Sequence, residues 1–425
     1  MSLAAPSRVR GKVLAFTFAL TVITYLDRVC VSAAAPAIMR ELHLSLLEMS
    51  AVFSAFTLAY SIFEIPSGWL GDRRGPRRVL TRIVLWWSAF TMLTGGARGF
   101  HSLVAIRFLF GAGEAGAFPN IIRSFARWFP VRERGRASGI MFLGSRLGGM
   151  LSAPIALLLI ARIGWRLSFV VFGSIGVVWA AAWAWWYRDE PSDHPGVNAQ
   201  ELAWIGQDAT SGDAVAPRTP WAELLISRNV WAICAMYSAY GYGLYFYLTW
   251  LPTYLVSELG FSALRSGFFA SLPFLLAGLA DVTGGWLTDR LARQYGLRTA
   301  RCGLGFMAFA TTASLLFAST LTPSPTVKAL LLSLALGSAD LALSACWAAP
   351  LDVAAAHAGV ITGFMNTFGN LGGLLCPLVV GWAVERQHSW TLPFHITAAV
   401  YAAGALAWLA IDPDRRIGAP TTTGS

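Results

Sequence analysis

Apolar windows of about 20 residues recur along almost the whole chain, and each is long enough for a helix to cross a bilayer. Hydrophobic residues make up 56% of the sequence and charged residues only 13%, against about 25% charged in an average soluble domain. Such a chain cannot cover a water-facing surface, so the sequence predicts an all-α polytopic membrane protein. The predicted spans lie near 14–37, 50–71, 79–98, 102–122, 137–160, 165–187, 229–256, 266–288, 301–320, 327–349, 357–383 and 392–411.

These twelve windows form two groups of six, which predicts two six-helix bundles. A polar stretch at 188–228 separates the groups, and four prolines and many charges identify it as a linker. We therefore predict an N-terminal bundle at 1–187, a cytoplasmic linker at 188–228, and a C-terminal bundle with a short cytoplasmic tail at 229–425.

Positive charge is concentrated in the loops after the second, fourth and eighth windows, and the formal net charge is +10. Basic loops remain on the cytoplasmic side of a membrane. We expect a multi-pass protein of the cell (inner or plasma) membrane, with both termini in the cytoplasm. The same loops account for the net charge, so a nucleic-acid partner is not expected.

A repeated hexapeptide relates the two halves. Gly68-Trp69-Leu70-Gly71-Asp72-Arg73 follows the second window, and Gly285-Trp286-Leu287-Thr288-Asp289-Arg290 follows the eighth. Parallel repeats of this kind are typical of transporters built from two bundles.

Charged residues inside two of the windows indicate a functional site. Asp27 and Arg28 interrupt the first window, and Arg107 and Glu114 interrupt the apolar stretch 105–120 in the fourth. Positions seven apart share one helix face. Charges buried in a membrane are costly unless they face a cavity or find partners, so these four residues predict a polar cluster.

The sequence offers nothing that indicates an enzyme. The six histidines are dispersed, and the five cysteines occur singly without a CxxC pair. Neither zinc ligation nor a disulfide framework is supported by such spacing. We therefore expect no catalytic residue, no metal site and no cofactor.

The chain resembles the major facilitator superfamily. The stretch 68–78, GWLGDRRGPRR, is similar to the superfamily's loop motif. Narrower features resemble the anion:cation symporter family, which includes sugar-acid permeases. These features are YLDR at 25–28, the segment 107–119, WFP at 128–130, ERGRA at 133–137, TWLPTYL at 249–255 and NTFGNLGG at 366–373. The resemblance implies twelve helices in two bundles and proton-coupled symport of a small organic anion, a sugar acid or other carboxylate, by alternating access.

Arginines in the N-terminal bundle are the first candidates for substrate contact. Arg28 and Arg107 each offer a planar, permanently charged fork that suits a carboxylate, and in the resembled family the matching positions bind the substrate carboxylate. The alternative is that they only neutralise Asp27 and Glu114 structurally. Further candidates are polar or aromatic groups of both bundles: Tyr25, Tyr60, Tyr237, Tyr242, Trp347, Asn366 and Asn370.

The acidic members of the cluster are candidates for proton coupling. Burial and a neighbouring arginine act on a carboxyl pKa in opposite directions, so a carboxyl subject to both can titrate near neutral pH. The resemblance assigns proton binding to the positions of Asp27 and Glu114. We hypothesise that protonation frees an arginine from its internal ion pair so that substrate can replace the acid.

Ion pairs at the ends of helices can hold one state of a transporter closed. Asp72, Arg73, Asp289 and Arg290 of the repeated motif are therefore predicted gating residues. The partners expected are a small organic anion, protons and the lipid bilayer, and the architecture is compatible with a monomer. One alternative on the same fold is an exporter or antiporter of drugs or other organic solutes, and a second is a substrate-sensing receptor.

Overall fold

The structure, a computed structural model, describes residues 6–206, 221–354 and 358–412, except for the side chains of residues 65, 68–73, 131, 132, 358, 359 and 387. Within these ranges the regular secondary structure is helical, and the twelve predicted spans are all present. The chain forms two compact units, Met1–Gly212 and Asp213–Ser425. The boundary between them lies inside the stretch predicted as the linker.

Six spans belong to the N-terminal unit. They are span 1 (Val9–Leu42), span 2 (Leu46–Arg74), span 3 (Pro76–Thr94), span 4 (Phe100–Glu114 and then Ala117–Trp128), and spans 5 and 6, which share the helix Val131–Trp186. Gly164 separates spans 5 and 6 with a φ of 77°. Glycine is suited to this turn because other residues are strained at positive φ.

The C-terminal unit contains the other six spans. They are span 7 (Arg228–Thr249, Leu251–Thr253 and Tyr254–Glu258), span 8 (Ala263–Tyr295), span 9 (Thr299–Gly303 and Leu304–Leu321), span 10 (Pro325–Leu341 and Leu343–Val353), span 11 (Ala358–Gln387) and span 12 (Thr391–Ala410). Outside the spans, Pro191–Asp193, Ala199–Gly206 and Trp221–Ile226 form short helices.

Several helices extend beyond their apolar windows. Span 1 has 34 residues and is therefore about 51 Å long, against about 30 Å of hydrocarbon. Hydropathy locates only the part of a helix that lies in the hydrocarbon, whereas the backbone hydrogen bonds continue into the polar boundary. Eight of the described helices are long and apolar enough to cross a membrane, and one of these, Glu133–Trp186, contains two spans.

The two units pair their spans in the same pattern. In the first unit span 1 packs on spans 5 and 6, span 2 on span 4, and span 3 on span 6. In the second unit span 7 packs on span 11, span 8 on span 10, and span 9 on span 12. The internal repeat seen in the sequence is therefore also a repeat of packing.

Small residues bring these helices close together. A Cβ at Gly144 would lie 2.8 Å from the Phe18 carbonyl oxygen, and one at Gly148 would lie 2.9 Å from Tyr25 Cβ. Glycines spaced in this way allow membrane helices to approach each other's backbones. This contact fixes the rotation of span 1, and with it the direction of the charged residues at its centre.

A short helix after span 6 docks on the start of span 1. Glu201 is fully buried and accepts hydrogen bonds from the Ser7 hydroxyl, from Val9 N–H at 2.9 Å and from Arg10 N–H at 3.1 Å. Its carboxylate thus occupies backbone donors that a helix start leaves unpaired. Burial alone would raise the pKa of Glu201, but these hydrogen bonds and the Arg10 charge leave it below its ordinary value.

All five cysteines are buried free thiols: Cys30, Cys234, Cys302, Cys346 and Cys376. They lie in different helices, as their single occurrence in the sequence suggested.

Candidate functional site

The four charged residues predicted from spans 1 and 4 are all withdrawn from solvent. Asp27 is 1% exposed, Arg107 is 3% exposed and Glu114 is fully buried, while the Arg28 side chain is 11% exposed. Packing of span 1 against span 5, and of span 4 against span 2, places them inside the N-terminal unit. The predicted cluster therefore has a low-dielectric setting in which charge interactions are strong.

Arg28 and Glu114 form an ion pair between spans 1 and 4. Both Nε and Nη2 of Arg28 contact Oε1 of Glu114. The other carboxylate oxygen of Glu114 has no hydrogen-bond partner among the described residues. Half of this carboxylate is thus engaged by Arg28, while its second oxygen is available to a proton or a ligand.

Aromatic rings surround the Arg28 guanidinium. Its central carbon lies 5.3 Å from the Tyr25 ring centroid, 4.9 Å from Tyr60 and 5.3 Å from Phe56, and Phe118 is 5.9 Å away. Faces of aromatic rings attract cations. The enclosure stabilises a positive charge in a position from which water is largely excluded. Tyr25 and Tyr60 were predicted here, whereas Phe56 and Phe118 were missed.

Arg107 lies close to Arg28 but is held differently. Its guanidinium carbon is 4.4 Å from the Phe110 ring centroid and 5.1 Å from Phe56, so Phe56 contacts both arginines. Within the described part of the chain, the Arg107 Nε has no hydrogen-bond partner. A buried guanidinium held mainly by rings retains donors with which an anion could be bound.

Asp27 is the least satisfied member of the cluster. Both of its carboxylate oxygens are buried, and neither has a hydrogen-bond partner among the residues described. Burial of a carboxylate without hydrogen bonds is costly, and such groups often bind a proton instead. Asp27 and Arg28 are neighbours in the sequence, yet Arg28 pairs with Glu114 across the helix interface.

Span 4 is interrupted directly after Glu114. One helix ends at that residue and the next begins at Ala117. Ala115 keeps right-handed helical angles, and Gly116, at φ −90° and ψ 3°, separates the two helices.

In the C-terminal unit, the structure brings two of the predicted aromatic residues together. The Tyr237 ring lies 6.0 Å from Trp347 in an edge-to-face arrangement and is stacked 5.5 Å from Tyr240. Tyr242 is buried, and within the described ranges its hydroxyl has no hydrogen-bond partner.

The predicted amides lie on the neighbouring helix. Asn366 and Asn370 are half-buried on span 11, which packs on span 7 through close backbone contact at Gly241 and Gly369. Their role in substrate binding stays a prediction.

Sequence reasoning did not predict the partner of Asp340 in a buried pair between spans 7 and 10. The Tyr240 hydroxyl donates to Oδ1 of Asp340 at 2.8 Å, and Asp340 is fully buried. Two signals for this pair were present in the sequence. Asp340 is an acid inside an apolar window, and Tyr240 follows Tyr237 by three residues. Their connection could not be predicted because it depends on the packing of two distant helices.

The predicted gating residues are only partly described. The side chains of Asp72 and Arg73 lie outside the described residues. Asp289 and Arg290 are exposed at the end of span 8, and the Arg290 guanidinium lies 5.2 Å from the Trp286 ring centroid. Their gating role stays a prediction.

Comparison with known proteins gives matches over nearly the full length. The chain is 39% identical to the probable sulfoacetate transporter SauU of Cupriavidus necator, covering 94% of this chain and 93% of the relative. It is 32% identical to the D-galactonate transporter of Escherichia coli O6:H1, covering 98% of both. The hexuronate transporter of Bacillus subtilis is 30% identical over 93% of both chains.

A solved structure has the same fold. It is the inward-facing, unoccupied bacterial homologue of the human lysosomal transporter Spinster, with a TM-score of 0.79 and 17% identity, covering 94% of this chain and 96% of that one. The model of the Major Facilitator Superfamily matches residues 17–377, which confirms the resemblance predicted from the motifs. The chain therefore belongs to the major facilitator superfamily and is a membrane transporter, not an enzyme.

Proposed function

We propose that the protein is a proton-coupled symporter of a small organic anion, a sugar acid or another carboxylate, and that it works by alternating access. The observation that carries the proposal is the buried Arg28–Glu114 ion pair inside its aromatic enclosure. The names of the relatives support the substrate class, because sulfoacetate, galactonate and hexuronate are all small organic acids.

The coupling step follows from competition for one cation. While Glu114 is ionised, it occupies the Arg28 guanidinium. Once Glu114 is protonated, the attraction is lost and the guanidinium becomes available to a substrate carboxylate in the same low-dielectric setting. Proton binding and anion binding therefore favour each other, which is the requirement for symport.

The other members of the cluster have supporting roles in this proposal. Arg107 supplies a second fork for the anion, and Asp27 is a second site for a proton. Tyr25 and Tyr60 donate hydrogen bonds to substrate oxygens from the rim of the Arg28 enclosure. In the C-terminal unit, Tyr237, Tyr242, Trp347, Asn366 and Asn370 select the substrate.

The topology belongs to the same proposal. In this proposal the two bundles are residues 1–187 and 229–425, and the linker between them is cytoplasmic. Both termini then lie in the cytoplasm, and the protein is located in the inner or plasma membrane. Asp72, Arg73, Asp289 and Arg290 act at the gates. The functional unit is a monomer, and no nucleic acid takes part.

The decisive test is Glu114→Gln in proteoliposomes, because glutamine keeps the shape of the side chain but cannot ionise. We expect the wild-type protein to accumulate radiolabelled sulfoacetate or galactonate when the outside is acidic. The variant should still exchange the labelled acid across the membrane but should lose accumulation driven by the pH gradient.

Glu41→Gln is the matched control, since Glu41 also pairs with an arginine, Arg166, and accepts from Trp165, but at the exposed end of span 1. Accumulation by Glu114→Gln equal to that of the wild type would contradict the proposal. Export of the acid against the same gradient would favour an antiporter on this fold.

A further inference from the structure

A groove between spans 3 and 6 has a basic end and an apolar end. Its volume is about 630 Å³, and its lining comprises Arg77, Arg78, Thr81, Arg82, Leu85, Trp86 and Ala184. It lies wholly within the N-terminal unit and is separate from the Arg28–Glu114 cluster. The transport proposal assigns it no role.

The spacing of its residues places charge and apolar surface on one face of span 3. Arg78, Arg82 and Trp86 follow one another at intervals of four residues, so they lie along one helix face over about 12 Å. Arg78 and Arg82 are exposed, and Leu85 and Trp86 remain 43% and 44% exposed. The face changes from cationic to apolar toward the centre of the span.

One of the three arginines is already engaged. The Arg77 guanidinium donates to the Ala184 carbonyl group of span 6, and its backbone N–H donates to Asp189 at 2.9 Å. Asp189 also faces Arg127 at 3.9 Å. Among the described residues, Arg78 and Arg82 form no ion pair. Like charges four residues apart repel each other on a helix, so a bound anion would relieve this repulsion.

The apolar end of the groove is rigid. The Trp86 indole N–H donates to the Leu109 carbonyl group at 2.8 Å, and the ring covers Gly113 so closely that a Cβ there would overlap it. Leu85 and Trp86 thus form a fixed apolar surface nearer the middle of span 3 than Arg78 and Arg82.

We propose that this groove binds an anionic phospholipid. The phosphodiester lies between the guanidinium groups of Arg78 and Arg82, and an acyl chain follows Leu85 and Trp86. Basic pockets between membrane helices are suited to acidic lipid headgroups. A free phosphate ion would use only the basic end, so the apolar half of the groove favours a lipid.

Native mass spectrometry of the purified full-length protein tests the proposal. The protein is equilibrated with equal amounts of phosphatidylglycerol and phosphatidylcholine and then delipidated in steps. We expect the wild type to retain phosphatidylglycerol selectively. Near a membrane surface one arginine changes the affinity for acidic lipid about fivefold, so Arg78→Gln with Arg82→Gln should weaken retention about 25-fold.

The double variant Arg293→Gln with Arg298→Gln is the matched control. It makes the same change of net charge at two exposed arginines, one in the last turn of span 8 and one just after the span. This variant should retain phosphatidylglycerol as the wild type does. Equal loss in both double variants, or no loss in the first, would overturn the proposal.

Two further arms keep the result interpretable. The single variant Arg82→Gln leaves the start of span 3 unchanged, so it should fold and lose about fivefold in retention. Inorganic phosphate at millimolar concentration should not displace the lipid. Displacement by phosphate would assign the groove to a free anion and would overturn the proposal.

Discussion

At the scale of single residues, Arg28 shows how a membrane protein keeps a permanent charge away from water. Among the described residues, the Glu114 carboxylate and the rings of Tyr25, Phe56, Tyr60 and Phe118 lie around its guanidinium. The rings stabilise the cation without neutralising it, so its charge can be shared between Glu114 and an incoming anion.

The planar fork of Arg28 is predicted to matter beyond its charge. Lysine keeps the charge but cannot offer two parallel N–H donors. We expect Arg28→Lys to weaken binding of the transported acid about tenfold, since one hydrogen bond to a charged group is lost. Isothermal titration of the detergent-solubilised protein measures the dissociation constant.

Arg166→Lys is the control for this substitution. Arg166 pairs with Glu41 and donates to the Gly95 and Ala97 carbonyl groups. Glu41 follows Arg28 on span 1 at a distance of about 20 Å along the helix axis. An unchanged dissociation constant for Arg28→Lys would show that Arg28 does not bind the substrate.

At the scale of elements, two tyrosine hydroxyl groups connect span 7 to span 10. Tyr240 donates to Asp340 at 2.8 Å, and Tyr247 donates to the Leu332 carbonyl group at 2.7 Å. Only Tyr240 also stacks on Tyr237, which contacts Trp347. The two bonds therefore have a similar structural role but different relations to the proposed selectivity residues.

We therefore expect substitutions of the two tyrosines to have similar effects on stability but different effects on transport. Tyr240→Phe and Tyr247→Phe should each destabilise the protein by about 0.5–1.5 kcal/mol, because each removes one buried hydrogen bond. Tyr240→Phe alone should raise KM for the transported acid severalfold, because the ring that stacks on Tyr237 is then no longer held to Asp340 by a hydrogen bond. Thermal unfolding and initial uptake rates are the two measurements. Equal KM values in both variants would show that Tyr240 is only structural.

At the scale of the whole molecule, the apolar windows and the repeated hexapeptide were sufficient to predict twelve spans in two related groups. Hydrophobicity is a property of the local sequence, so the spans can be predicted without knowledge of packing. The partners of buried side chains depend on packing and cannot be predicted in this way. Arg28 pairs with Glu114 and not with its neighbour Asp27, because adjacent residues on a helix point about 100° apart and the rotation of span 1 is fixed by span 5.

The docked helix Ala199–Gly206 connects distant parts of the N-terminal unit, and its contact is predicted to depend on pH. The pKa of Glu201 is lowered in the folded protein. Its stabilising contribution is therefore present above the ordinary glutamate pKa of about 4.3 and is lost as the pH falls through the folded value. We expect the unfolding temperature of the wild type to fall more steeply on acidification than that of Glu201→Gln.

Glu223→Gln serves as the reference for this comparison, since Glu223 is exposed on another short helix. The unfolding temperature of the Glu223→Gln variant should equal that of the wild type at every pH. Parallel curves for the wild type and Glu201→Gln would mean that the buried carboxylate does not hold the docked helix in place.

The burial of every cysteine has a consequence for the chemistry that the protein can withstand. Each of the five thiols is at most 4% exposed, and thiols in apolar surroundings are inert toward oxidants and alkylating reagents. The protein should therefore keep its activity after exposure to maleimides. A single cysteine introduced at an exposed position such as Arg78 would react with a maleimide, whereas the five buried thiols would not.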